Sequence, residues 1–112
     1  MQQIITFTEI FAKDVAALGY RIREENVKDI GDVFNFMKGA SYLAYEIAKL
    51  DESFLPFRTT AVEKLLKISA DLRAACDASD AVTIADILEY ELLVDCEDIL
   101  EMLSSYNKTH KY

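Results

Sequence analysis

The sequence predicts an all-α protein, an antiparallel up-and-down four-helix bundle, and three observations predict it. Only 3 Gly and 1 Pro occur in 112 residues, too little turn chemistry for a sandwich or barrel of many short strands. Apolar residues make up 52% of the chain, enough for one core at the modal size of a single domain. Their spacing alternates steps of three and four along four segments, the period of a helix face and not of a strand. Four helices with short links pack with sequence neighbours as spatial neighbours. The chain is read as one domain, 1–112, in which 107–112 (NKTHKY) form a flexible polar tail.

The first helix, 6–26, starts at a capping box of Thr6 and Glu9 with Ile5 and Ile10 as its hydrophobic staple, and Phe11, Val15, Leu18 and Ile22 form its stripe. Asp29 caps the second, 29–51, whose stripe is Val33, Phe36, Met37, Ala40, Leu43, Ala44, Ile47 and Leu50. Gly39 inside it costs about 1 kcal/mol relative to Ala, which points to close approach by a neighbouring helix. Pro56 disfavours helical geometry at Leu55, so DESFLPFRT (51–59) is read as a loop. The third helix, 60–78, opens on a second capping box, Thr60 and Glu63, and turns Val62, Leu65, Leu66, Ser69, Leu72 and Cys76 inward. Asp80 caps the fourth, 80–106, whose stripe is Ala81, Ala85, Leu88, Leu92, Asp95, Ile99, Met102 and Tyr106, widened by Ile84, Ile87 and Leu103. Phe7, Phe11, Phe34 and Phe36 also fall at core spacing.

At 1.5 Å per residue the fourth helix spans roughly 40 Å and the third roughly 27 Å. Folding one back on the other about residue 79 leaves Ile99, Leu100, Met102, Leu103 and Tyr106 beyond the end of the third helix. Two covers are available: the apolar loop residues Phe54, Leu55 and Phe57, or a second subunit. An exposed cluster of this kind is a typical association surface, so Ile99, Leu100, Met102, Leu103, Tyr106, Phe54 and Phe57 are the expected self-association residues of a homodimer.

The chain carries 12 Lys and Arg against 20 Asp and Glu, a net charge of −8, which excludes a generic duplex nucleic-acid binder. Its distribution is uneven. Residues 80–106 hold Asp80, Asp86, Glu89, Glu91, Asp95, Glu97, Asp98 and Glu101 with no Lys or Arg, while the remainder sums to zero. Like charges one turn apart cost a few tenths of a kcal/mol, and anions in the C-terminal half of a helix oppose its dipole. Local rules broken repeatedly in one place mark a functional surface. One reading is a solvated face that keeps the protein in solution. A sharper one is a docking face for a basic or amphipathic protein, with Asp86, Glu89, Glu97 and Glu101 steering it and Tyr90 as anchor. An acidic mimic of nucleic acid is a variant of the same idea. The alternative is a divalent-cation site or metal-dependent enzyme on Glu91, Asp95 and Asp98, which share a face at i, i+4 and i+7. Asp95 falls on the apolar stripe, where a carboxylate needs a partner, a metal or a proton.

Catalytic patterns are sparse. The sole histidine, His110, lies in the tail, so the Glu-x-x-His signature of di-iron bundles is missing. No Gly-rich phosphate loop, GxSxG or CxxC occurs. Cys76 and Cys96 fall roughly 20 Å apart in a hairpin about residue 79, too far for a disulfide, and free thiols suit a reducing compartment. No catalytic residue and no cofactor is assigned. No segment has the length and apolarity of a membrane span, and MQQIITFTEIF lacks the basic start of a leader, so a cytoplasmic protein is expected. Residues 84–100, IADILEYELLVDCEDIL, resemble small bacterial helical proteins. In size, acidity and helix content the chain resembles secretion and flagellar export chaperones, which implies a helper role. The expectation is a non-catalytic interaction or adaptor protein that binds a protein partner, and neither nucleic acid nor membrane.

Overall fold

The computed structural model describes residues 2–24 and 30–109, of which residues 30, 52, 55 and 106–109 are described in backbone only. Helix α1 (Gln2–Glu24) is followed by α2 (Ile30–Ala48), a 3-10 turn (Glu52–Phe54) and α3 (Leu55–Asp77). The fourth helix is continuous but composite: α4 (Ala81–Asp86), a π-helical segment (Ile87–Leu92) and α5 (Leu93–Thr109). The described residues are 94% helical and contain no strand, so the class is all-α. None of these helices is long and apolar enough to cross a membrane.

The four helices form a bundle of 47 × 21 × 18 Å. Helix α1 packs along the fourth helix and against α2, α2 packs along α3, and α3 closes the circuit on the fourth helix. The Phe7 ring meets Tyr42 edge-on at 4.9 Å, Phe11 stacks on Phe36 at 5.7 Å, and Arg21 reaches Asp32 at 3.9 Å. Positions on α1 therefore rise as those on α2 fall. Val15, Leu43, Ile47, Leu65, Leu72, Leu88, Leu92, Ile99 and Leu103 fill the axis without exposure to solvent. Gly39 plays the part its position suggests, since a Cβ there would lie 2.5 Å from Cε1 of Phe11.

Helix starts depart from the sequence expectation. Helix α1 begins at Gln2, so Thr6 lies inside it, and its hydroxyl accepts from Gln2 Nε2 at 3.4 Å and caps nothing. Helix α3 begins at Leu55, five residues before Thr60, whose hydroxyl donates to the Pro56 carbonyl at 3.2 Å. Pro56 stands in the first turn of α3, where its missing N–H has no helical partner to lose and its fixed φ suits the helix. Pro56 thus starts a helix where it was expected to mark a loop. The expected Asp29 cap and the end at Asn26 lie outside the described residues. Helix α5 reaches Thr109, so 107–109 are helical and not tail.

The longer α3 removes the expected overhang. Ile99 and Leu103 have no exposure, Phe54 is buried with its ring 6.4 Å from that of Phe57, and Leu100 and Phe57 pack partly buried against the same core. Of the expected self-association residues whose side chains are described, only Met102 is exposed. The side chain of Tyr106 lies outside the described residues. This end is covered from within the chain, the first of the two covers considered above. The buried face of α3 is also rotated: Ala61, Leu65, Ile68, Leu72, Ala75 and Cys76 point inward, while Leu66 points out.

The reversal between α3 and the fourth helix is a Schellman turn. Asp80 N–H donates to the Ala75 carbonyl and Ser79 N–H to the Cys76 carbonyl, both at 3.0 Å, with Ser79 at φ 53°. Left-handed geometry suits glycine and costs an L-residue roughly 1–2 kcal/mol. Ser79→Gly is expected to stabilise the protein by about 1 kcal/mol, read as a rise in urea midpoint at unchanged slope; no rise means Ser79 makes a compensating contact. Asp80 then caps the fourth helix as expected. It accepts from Thr83 N–H at 3.1 Å and from the Thr83 hydroxyl at 2.6 Å, bonds that hold its carboxyl below the ordinary range.

Candidate interaction surface

The acidic helix presents two different faces. Near its start, Gly19 on α1 admits Glu89, since a Cβ at 19 would lie 2.8 Å from Glu89 Cγ. Four residues on, and so on the same side of α1, Arg23 closes over the region. Its Nη2 donates to Asp86 at 2.8 Å, its Nε to Glu89 at 3.3 Å, and its guanidinium lies 5.7 Å from the Tyr90 ring centre. The bonds to Asp86 and then Glu89 push the Arg23 guanidinium further above its already high range. Three of the five residues assigned to partner binding, Asp86, Glu89 and Tyr90, are thus gathered by a cation of the same chain. Arg23 was not singled out from sequence. The only local signal is the four-residue step from Gly19 to Arg23.

Glu89 and Tyr90 sit within the π-helical segment, where Leu93 N–H donates to Leu88 O five residues back. Such turns are rare and concentrate at functional places. Beyond it the other two partner residues, Glu97 and Glu101, are exposed and form no ion pair among the described residues, and the same holds for Glu91 and Asp98. Exposed apolar side chains are interleaved with them: Tyr90, Val94 and Met102.

Asp95 is buried, at 6% exposure, and its Oδ2 has no hydrogen-bond partner among the described residues. Burial pushes its carboxyl from 3.8 up to about 6, against the pull of Lys64 and with the push of Asp98. It lines a groove of about 260 Å³ between α3 and the fourth helix, together with Lys64, Ile68, Tyr90, Glu91 and Asp98. Glu91, Asp95 and Asp98 do share this groove, yet among the described residues no three Asp, Glu, His or Cys side chains are placed to hold a metal ion. Spacing at i, i+4 and i+7 puts residues on one side of a helix; Asp95 turns inward from that side while the other two stay at the surface.

Cys76 and Cys96 are buried free thiols. Burial, followed by the nearby Asp95 and Glu97 charges, pushes Cys96 up to about 12, and burial also raises Cys76. Both are held as thiols at neutral pH, the form that is not nucleophilic.

A second surface was missed in sequence. Between α2 and α3 runs an open groove of about 770 Å³ lined by Phe34, Met37, Tyr42, Tyr45 and Leu66 with Arg73 at its edge. Phe34, expected in the core, is 41% exposed, and Tyr45 and Leu66 are more so. No family model, no curated protein and no solved structure matches the chain.

Proposed function

We propose that this protein is a non-catalytic helical adaptor whose fourth helix binds a basic, amphipathic protein segment. The observation that carries the reading is the set Glu91, Glu97, Asp98 and Glu101, four exposed carboxylates with no ion pair among the described residues, interleaved with Val94 and Met102. Charge of one sign steers an oppositely charged partner and raises its association rate, while interleaved apolar side chains supply the contact that holds it. In this reading Asp86 and Glu89 serve the fold through Arg23, and the docking face shifts toward α5.

Titration of the full chain with an amphipathic peptide of alternating Lys and Leu turns tests this. Glu97→Lys combined with Glu101→Lys is expected to weaken binding about tenfold, ~1.4 kcal/mol, and to flatten its salt dependence. Glu9→Lys combined with Asp14→Lys, which makes the same change in net charge on the exposed side of α1, serves as control. Equal losses in both variants would reduce the effect to net charge and end the proposal.

A further inference from the structure

We propose that the groove at Asp95 is a subsite for the guanidinium group of an arginine side chain carried by the basic partner. The inference rests on the adaptor reading and gives it an anchor.

The starting observation is Asp95, which lines the groove and whose buried Oδ2 has no hydrogen-bond partner among the described residues. Buried polar atoms in native proteins almost always have a partner, and one left without it costs the full penalty of losing water. A groove of about 260 Å³ offers far more than the roughly 10–15 Å³ of such space that one water needs, so it suits a side-chain head group with part of its stem.

The lining favours a planar cation over a bare ion. A divalent ion of the Mg²⁺ or Ca²⁺ type needs six or more oxygen ligands about one point, and among the described residues no three carboxylates converge here. A guanidinium needs only carboxylate oxygens within its plane, which its fork of N–H groups can reach two at a time. Ile68 and Val94 supply apolar lining for methylene groups, and Tyr90, Glu91 and Asp98 add an aromatic ring and two carboxylates to the same lining.

The resident cations leave room for an incoming one. The charged groups lining the groove are Lys64 and Lys67 from α3 against Glu91, Asp95 and Asp98 from the fourth helix, two positive and three negative. Lys67 is engaged by Asp71 at 2.8 Å. Lys64 acts on Asp95 only through space, with no hydrogen bond or ion pair between them. At neutral pH Asp95 is mostly ionised, so an incoming cation meets a charge; below about pH 6 it meets a proton.

The test uses the isotope-labelled full chain and N-acetyl-arginine methylamide, followed by amide chemical shifts. Saturable shifts are expected at 64–68 and 91–98 with millimolar affinity, at least threefold weaker for the matching lysine derivative, and declining below pH 6. Asp95→Asn should abolish them and Glu101→Gln should leave them within twofold. Lys64→Met should bind at least as tightly as wild type. Equal binding of the lysine derivative, or persistence in Asp95→Asn, overturns the proposal. So does binding that appears only in Lys64→Met, which would make Lys64 the natural occupant. The Lys and Leu peptide separates this failure from that of the adaptor reading: sensitivity to Glu97 and Glu101 reversal without arginine binding leaves the adaptor standing and removes the subsite.

Discussion

Leu103→Glu is expected to unfold the isolated chain. Leu103 has no solvent exposure and belongs to one core with Ile99, Phe54 and Leu92. Truncating such a leucine to alanine costs roughly 2–5 kcal/mol, and a carboxylate in its place adds the cost of burying an unpaired charge. Against a total stability of roughly 5–15 kcal/mol for an ordinary domain, that sum removes most or all of the folded population. Circular dichroism and urea titration check it. Met102→Glu is the matched control, because Met102 is 46% exposed and surface changes stay within about 0.5 kcal/mol. A well-folded Leu103→Glu variant that only changes its oligomeric mass would restore the association surface that apolar spacing suggested.

The second large effect has the opposite sign. Asp95→Asn is expected to stabilise the protein at pH 7, and the gain is expected to disappear by about pH 4. Asp95 in the folded chain holds its proton up to about pH 6, whereas its ordinary value is 3.8. Between these values the native state binds a proton that the unfolded state has lost. Stability therefore falls as pH rises through that window and stays lowered above it. The full gap corresponds to roughly 3 kcal/mol. An amide in the same place still wants partners, so a net gain of roughly 1–2 kcal/mol is expected, a rise of several degrees in Tm for a chain of this length. Thermal melts of both proteins at pH 4, 5.5 and 7.5 give the answer; parallel curves at all three would show that the Asp95 carboxyl keeps its ordinary range in the folded protein.

The period of the apolar residues made the four helices and most of the core legible, because burial of one stripe per helix is a property of the chain itself. Asp95 was legible for the same reason: a carboxylate on an apolar stripe stands out without any knowledge of its neighbours. The helix starts were less so. Thr6 with Glu9 and Thr60 with Glu63 carry the spacing of a capping box, but upstream Ile4, Ile5, Phe54 and Phe57 bury apolar surface against the bundle, and tertiary packing outweighs a cap of about 1 kcal/mol. Nor could spacing place Arg23 on Asp86 and Glu89, which lie 63 and 66 residues further along the chain. The rotated α3 had a local cause as well. Leu66 fits the three- and four-residue steps to Val62 and Ser69 as Ile68 fits those to Leu65 and Leu72, and only the positions of the neighbouring helices decide between them.

The π-helical segment carries one more consequence, for the chain's history. Pairing to the fifth residue back instead of the fourth takes up one extra residue per turn while the helix continues. The segment 87–92 therefore takes up one residue more than α-helical pairing over the same course would need, and the fourth helix keeps its course on either side. A descendant or ancestor one codon shorter at Glu89–Glu91 could close the same stretch as ordinary α-helix with α4 and α5 still on the bundle. What such a chain would give up is the outward bulge carrying Tyr90, and with it the wall that separates the Arg23 cluster from the Asp95 groove.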